Sequence, residues 1–236
     1  MADTLFFCPG ILTSPVLPEQ ESHHCVKVLR TREGDRLTVT DGNGFFYDCE
    51  LVEAHPKRCL VAILHQSEAP TDRSFTLHVA FAPSKQMDRN EWFVEKATEI
   101  GIDRFSPLLC EYSERKEIKV ERLQKTAVAA MKQSMQARLP AIEAMTRFND
   151  FVARPFEGRK FIAHCQEGFK KPLAESYQKG ENALVLIGPE GDFSKEEVTL
   201  AIALGFEPVS LGKTRLRSET ASLVSLHTLH VINNRA

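Results

Sequence analysis

Leu184-Val185-Leu186-Ile187-Gly188-Pro189-Glu190-Gly191-Asp192-Phe193 is an apolar run that breaks into a glycine-marked turn. Further on, Val209-Ser210-Leu211-Gly212-Lys213-Thr214-Arg215-Leu216-Arg217-Ser218-Glu219-Thr220-Ala221 has a similar build. Each apolar run reads as a buried strand, and a helix-like segment follows each turn. The turns then fall at the C-terminal ends of strands, where open α/β sheets bind ligands. Two such turns, close in sequence, predict one shared small-molecule site.

Working outward, strands alternate with helices. Phe75 to Phe81 alternates as a strand. Asp88 with Glu91 fits a capping-box variant, Phe93, Ala97 and Ile100 share a helical face, and Gly101 suits the C-cap. Phe105 to Cys110 reads as a strand. Val120, Leu123, Ala127, Ala130 and Ser134 mark a helix ended by Pro140. Phe161 to His164 and Ala183 to Ile187 are further strands. Ser194 with Glu197 opens a helix that stops near Gly205, Pro208 to Leu211 is the last strand, and Ser218 to Ile232 the last helix. This alternation predicts an α/β fold with a mostly parallel sheet over residues 74–236. Residues 1–70 read differently. Cys25 to Leu29 and Arg36 to Thr40 alternate, Asp41-Gly42-Asn43-Gly44 signals a tight turn, and Phe45 to Val52 and Cys59 to Leu64 read as strands. Short strands with tight turns predict a small β-barrel. Gln66 to Arg73 reads as a linker.

A chain of 236 residues with 42% hydrophobic and 26% charged residues has room for one large or two small domains and a real core. No apolar run approaches the roughly 20 residues of a membrane span. Met1 to Pro9 has no basic region or long apolar core, so no secretory signal is expected. The six cysteines are scattered without a Cys-x-x-Cys pair, which predicts reduced, mostly buried thiols in a cytoplasmic protein. The formal net charge of −2 lacks the basic footprint usual for nucleic-acid binders. Phosphate contacts are local, however. Lys27, Arg30, Arg32 and Arg36 form one basic group, and Arg115, Lys116 and Lys119 another. Each is either a solvated face or a phosphate contact.

Two nucleotide motifs fail. A P-loop ending in Gly212-Lys213-Thr214 needs a glycine where Glu207 stands. The dinucleotide pattern starting at Gly42-Asn43-Gly44 needs a glycine at Tyr47. His227 and His230 share a helical face but lack a carboxylate or cysteine partner, so they read as packing residues and no metal is expected. In the first turn, Gly188 and Gly191 either form the turn or let backbone approach a ligand. Glu190 can accept hydrogen bonds from a ribose or from backbone amides. Leu186, Leu211 and Leu216 fit an apolar cleft. Arg215 and Arg217 cannot be buried unpaired, so they pair with an acid such as Glu219 or meet an anionic substrate.

Gly188-Pro189-Glu190-Gly191, Leu211-Gly212 and Leu216-Arg217-Ser218-Glu219-Thr220-Ala221 resemble the knotted SPOUT methyltransferases. Within them the chain is similar to the ribosomal RNA uridine-N3 methyltransferase family, which modifies 16S rRNA. His23-His24 with Lys27-Val28-Leu29-Arg30, Lys96-Ala97-Thr98-Glu99-Ile100-Gly101, Ser113-Glu114-Arg115 and Lys132-Gln133-Ser134 with Leu139-Pro140 follow in the family's order. The likeness covers nearly the whole chain and rests on order and spacing together. One departure is Lys132, where the family often carries Glu.

The resemblance implies a deep trefoil knot in the last third, an N-terminal barrel similar to RNA-binding PUA domains, and a homodimer formed through helices around the knot. The last helix suits that role through Leu223, Val224, Leu226, Val231 and Ile232. It implies S-adenosylmethionine held by Leu186, Ile187, Gly188, Pro189, Glu190, Gly191, Leu211, Gly212, Leu216, Arg217, Ser218, Thr220 and Ala221. It implies RNA contacts from His24, Lys27, Arg30, Arg32, Lys85, Arg115 and Arg138, with a uridine in the decoding region of the small ribosomal subunit as target. Methylation at uridine N3 requires loss of its proton, and the anion spreads onto the flanking carbonyl oxygens. Arg217 is the candidate for stabilising that anion, and Glu219 a weaker candidate for accepting the proton. A SPOUT methyltransferase for another RNA, such as a tRNA ribose or another rRNA base, and an RNA-binding relative without activity are the alternatives.

Overall fold

The structure, a computed structural model, describes residues 4–70 and 73–234. The start of the N-terminus and Thr71 and Asp72 of the expected linker lie outside these residues. The described chain forms two compact units, residues 4–70 with 128–139 and residues 73–127 with 140–234.

The first unit is built on a four-stranded sheet, β1 (Leu5–Phe7), β2 (Arg36–Thr40), β3 (Phe45–Glu53) and β4 (Leu60–Glu68), in sequence order. β1 runs parallel to β2, and the other pairs are antiparallel. Alternation along β2 and β3 sends Leu37, Val39, Tyr47, Cys49 and Leu51 inward, where they meet Phe6, Ile11, Leu17 and Val61. Cys8, Cys25, Cys49 and Cys59 are free thiols inside this core.

Cys25 to Leu29 is not a strand. Helix α1 (Glu19–His23) runs on into a π-helical turn over His24–Val28. Glu21, Ser22 and Cys25 are buried while Val28 and Leu29 stay exposed, so the buried positions follow a helical period and the apparent alternation carries no packing. Arg30, at φ 58°, ends the turn in the left-handed region, and the Thr31 amide returns to the Cys25 carbonyl at 3.0 Å.

Residues 128–139 close this unit. The Gly44 amide donates to the Ala137 carbonyl at 2.8 Å and the Leu139 amide to the Gly42 carbonyl at 2.9 Å. The Lys132 ammonium donates to both carboxylate oxygens of buried Glu21, at 2.6 and 2.8 Å. The lysine that departs from the family pattern thus has an acid waiting for it in the first unit.

The second unit contains β5 (Leu77–Phe81), α2 (Met87–Ile100), β6 (Arg104–Leu109) and the start of α3 (Val120–Gln133). It continues with β7 (Ala141–Ile142), β8 (Thr146–Arg147), α4 (Phe148–Val152), β9 (Arg159–Ala163), β10 (Lys171–Pro172) and α5 (Leu173–Ser176). It ends with β11 (Ala183–Ile187), α6 (Lys195–Ala203), β12 (Glu207–Ser210) and α7 (Ser218–Asn233). The strands lie in the order β10-β12-β9-β11-β5-β6-β7, with β8 also on β6, and every pair is parallel. β5 and β11 are buried at every position, which is why they read as continuous apolar runs.

Ser194 and Glu197 form the reciprocal capping box, and Gly101 caps α2 at φ 101°. The expected box at the start of α2 is absent. The N-cap is Gln86 without a side-chain bond, and Asp88 and Glu91 instead face Arg122. The Asn90 side chain holds the preceding turn, accepting from the Ser84 amide at 2.8 Å and donating to its carbonyl at 3.0 Å. α7 packs on α2 and α5 and against β5 and β11, burying Leu226 and Leu229. Among the described residues no helix is long and apolar enough to cross a membrane.

Candidate active site

Parallel pairing of β12, β9 and β11 brings three loops together at the C-terminal ends of these strands. They are residues 164–170, 188–194 and 211–217. In the first turn, the Asp192 amide donates to the Pro189 carbonyl at 2.9 Å. Asp192 takes φ 65°, a region that Asp tolerates better than most side chains. Its carboxylate accepts from the Cys165 amide at 2.8 Å and the Phe193 amide at 2.9 Å, fastening two of the loops to each other. The Gln166 side chain adds a bond to the Phe193 carbonyl at 2.9 Å. A Cβ on Gly188 would come within 3.1 Å of the Phe193 ring, so glycine is needed there for packing inside the turn. In the second turn, the Ser210 hydroxyl accepts from the Gly212 amide at 3.2 Å and donates to its carbonyl at 3.1 Å. Gly212 sits at φ 139°, with nothing within 4 Å of where a Cβ would stand.

The loops enclose a cleft of two lobes, about 680 and 280 Å³, within the usual range for small-molecule sites when taken together. Ala163, Cys165, Asp192, Arg215, Leu216 and Ala221 border both lobes. Gly191, Leu211 and Gly212 line the larger one, and Ile187, Gly188, Pro189, Glu190, Arg217 and Ser218 the smaller. Leu186 lines neither, because its side chain belongs to the core with Ala80, Leu108 and Ile162. Thr220 and Glu219 are half-buried on α7 and also line neither.

Electrostatics separates the two arginine readings. Glu219 pairs with Arg89 at 3.7 Å, not with an arginine of its own loop. Arg215 and Arg217 are exposed, and among the described residues no ion pair or side-chain hydrogen bond engages either guanidinium. Glu190 accepts from the Lys85 backbone amide at 3.3 Å, which ties the first turn to the loop after β5. His164 lines the larger lobe with both ring nitrogens buried and unpartnered. Burial first, then the charge of Lys170, pushes its pKa down against the pull of Asp192. Among the described residues the His164 ring nitrogens are thus left without partners, closed off from solvent within the wall of the cleft.

The first turn and the second turn were legible in sequence; the third wall was not. Ala163 to Gln166 and Lys170 line the cleft because β9 lies beside β11 and β12, a neighbour relation that strand patterns alone do not carry, and Tyr112, after β6, joins them by packing against Gly191.

The residues expected to meet RNA divide. Lys27, Arg30 and Arg32 are exposed on the first unit, and none is in an ion pair among the described residues. His24 is half-buried with its ring edge-on to Phe6. The Arg138 guanidinium lies over Gly44, 3.9 Å from Glu68. On the second unit Lys85 pairs with Glu114 at 3.0 Å. Arg115 is used internally: it donates to the Ser84 carbonyl at 2.8 Å and also to the carbonyls of Lys85 and Glu117. Among the described residues no cluster of His, Cys, Asp or Glu could hold a metal ion.

The family description "RNA methyltransferase domain" matches residues 71–230, and "RNA methyltransferase PUA domain" matches residues 17–64. The Ribosomal RNA small subunit methyltransferase E of Synechocystis is 32% identical over 224 residues, covering 92% of this chain and 72% of that protein. The chain belongs to the ribosomal RNA small subunit methyltransferase E family. A crystal structure of a probable rRNA-methyltransferase from Porphyromonas gingivalis superposes with a TM-score of 0.93 at 40% identity, covering 98% of both chains. A putative methyltransferase from Legionella pneumophila, solved with bound S-adenosylmethionine, gives 0.88 at 27% identity, again over 98% of both chains. The PUA match falls within the first unit, and the RNA methyltransferase match spans the parallel sheet with its loops.

Proposed function

We propose that the chain transfers a methyl group from S-adenosylmethionine to N3 of a specific uridine in 16S rRNA of the small ribosomal subunit. The observation that carries this reading is the cleft at the strand ends, formed by the glycine turns of the RNA methyltransferase domain and edged by unpaired arginines. The cleft suits a cofactor of this kind. Its apolar wall comes from Ile187, Leu211 and Leu216, and its open backbone from Gly212.

When bound, S-adenosylmethionine supplies a methyl group on a sulfonium, activated for in-line displacement. The chain's own part is positioning and charge. The loops fastened through Asp192 hold the walls fixed, which is how an enzyme gains rate from orientation. Arg217, unpaired at the smaller lobe, is placed to stabilise negative charge on the uracil carbonyl oxygens as N3 loses its proton. Glu219, held by Arg89 outside the cleft, fits the role of fixing the start of α7 better than that of a proton acceptor. Exposed Lys27, Arg30 and Arg32 supply phosphate contacts from the PUA domain. Action on the small subunit puts the protein in the cytoplasm.

The proposal includes the deep knot and a homodimer. α7 follows β12, near one edge of the sheet, yet packs against the central strands β5 and β11, a return path that supports a knotted backbone. Leu226 is spent inside the unit, while Val231 is 37% exposed and Leu223, Val224 and Ile232 are half-buried, leaving apolar surface for a second copy. Light scattering at micromolar concentration should give twice the chain mass. A monomer with full activity would remove the dimer from the account.

The test of the reaction is incubation with methyl-labelled S-adenosylmethionine and unmethylated small subunits, followed by nucleoside mass analysis. The expected product is 3-methyluridine at one 16S position. Label on a ribose or on tRNA would overturn the assignment while leaving the cofactor site standing.

A further inference from the structure

Fourteen of the fifteen phenylalanines are buried or half-buried, and the exception is Phe169, at 91% exposure. A single exposed apolar ring is ordinary on a protein surface. Its setting is not. Phe169 stands on the loop after β9, between Gln166 and Lys170, both of which line the larger lobe of the cleft. That loop is held at each end. Gln166 is bonded to the Phe193 carbonyl at 2.9 Å, and the Lys170 ammonium donates to the Gln166 carbonyl. Beyond it, Lys171 and Pro172 pair with Val209 and Ser210 of β12, which also line the lobe. Gly168, at φ 125°, turns the chain just before the ring. The ring is thus presented from a fixed base at the cleft's rim, without lining the cleft itself.

A second exposed aromatic belongs to the same cleft. Tyr112, 51% exposed, lies against Gly191, where an added Cβ would come 3.0 Å from the tyrosine Cβ. The same lobe carries cations. Lys170, Lys195, Lys213 and Arg215 line the lobe, and among the described residues Lys195, Lys213 and Arg215 are in no ion pair. Exposed aromatic rings set among unpaired cations are the usual means of holding unpaired nucleotides, the rings stacking on bases and the cations meeting phosphates.

We propose that Phe169 is a substrate-positioning residue that stacks on an unpaired base of the RNA at the mouth of the cleft, with Tyr112 as a second platform. The inference rests on the reading of the substrate as RNA. A base acted on at its edge must leave its pairing, and the exposed ring gives a neighbouring or extruded base a surface to rest on. The cofactor is not the favoured occupant of this ring, because Phe169 does not line the cleft that would hold it.

The test measures equilibrium binding of the small subunit and of a single-stranded uridine- and adenosine-containing oligoribonucleotide at fixed salt, using the full chain. Phe169→Ala should weaken RNA binding about tenfold, within the range of one lost stacking contact. Phe169→Leu should bind as weakly, since it restores bulk but not the ring, whereas Phe169→Tyr should stay within about twofold of the wild type. S-adenosylhomocysteine affinity and oligomeric mass should not change in any of the three. Wild-type RNA affinity in Phe169→Ala would overturn the inference. So would a parallel loss of S-adenosylhomocysteine binding, which would make the ring a cofactor lid, or a change in mass, which would make it a protein contact. Failure of the proposed reaction is visible separately, as wild-type protein that leaves no 3-methyluridine.

Discussion

At the N-terminal ends of the parallel strands, charges come with partners. Arg73 meets Asp103 at 2.7 Å, and Asp103 also accepts from the Leu77 amide at 2.7 Å. Arg104 and Arg154 share Glu143 at 2.9 and 3.3 Å, and Arg159 meets Glu207 at 2.6 Å. Buried His78 lies 2.8 Å from the Ser106 hydroxyl, which donates to Glu143 at 2.7 Å. With that hydroxyl hydrogen committed, the imidazole donates from Nε2. At the C-terminal ends of β9, β11 and β12 the pattern reverses. Arg215, Arg217, Lys195 and Lys213 stand without ion pairs among the described residues, and His164 has two buried nitrogens without partners. The same sheet satisfies its polar groups at one edge and leaves them open at the other. The first arrangement holds a fold together; the second is expected where a ligand completes the bonding. Even at the functional edge the division is local, since the loops after β5 and β6 are stapled by Arg115 and by the Lys85–Glu114 pair.

The comparison breaks most easily at the glycine turns. Gly212→Val forces a branched residue to φ 139°, and Gly188→Val drives a Cβ into Phe193. Both should reduce S-adenosylhomocysteine affinity by at least about a hundredfold, roughly 2.7 kcal/mol, in calorimetry. Gly188→Val should also lower the melting temperature, because Phe193 belongs to the core.

The satisfied edge predicts a pH dependence. Burial pushes the His78 pKa down to about 4, opposed by Glu143 and aided by Arg104 and Arg154. As pH falls below about 6.5, the unfolded chain takes up a proton that the folded one refuses. Stability from this group is full above about 6.5 and lost as pH falls toward 4, by roughly 3 kcal/mol. His78→Leu should flatten that slope in denaturant titrations. His164 and His230, also shifted down by burial, would leave a shallower remainder. An unchanged slope would mean that His78 is charged in the fold.

Arg217→Ala should cut turnover at least about tenfold, near 1.4 kcal/mol, with little change in cofactor affinity. Normal turnover would reduce Arg217 to a loop residue and move the anion-stabilising role elsewhere. The smallest effect is expected on the PUA domain. Arg30→Ala should weaken RNA binding modestly and lower the salt slope by about one unit, as for one lost phosphate contact. Arg115→Ala should instead cost stability, since its guanidinium holds carbonyls.

Much of this edge-to-edge contrast was legible in the residues. The fully buried β5 and β11 appear as apolar runs, the Ser194–Glu197 box as a helix start, and both glycine turns as strand ends. What stayed hidden depends on tertiary neighbours. Cys25 to Leu29 alternates like a strand, but burial of Glu21, Ser22 and Cys25 selects a helix. Residues 128–139 look like the tail of a helix and instead also close the barrel turn at Gly42 and Gly44. Arg115 looks like a phosphate ligand and is consumed by three carbonyls. Ala163 to Gln166 reach the cleft only because β9 sits between β11 and β12. A local pattern reports which face of an element is apolar; it does not report what lies across from it.

The central claim is that the cofactor binds at the unsatisfied edge and that the satisfied edge takes no part. Calorimetric titration of S-adenosylhomocysteine into wild type, Gly212→Val and His78→Leu tests it directly. The account predicts one site per wild-type chain, affinity at least about a hundredfold weaker in Gly212→Val, and wild-type affinity in His78→Leu at neutral pH. Binding retained in Gly212→Val and lost in a folded His78→Leu would contradict it.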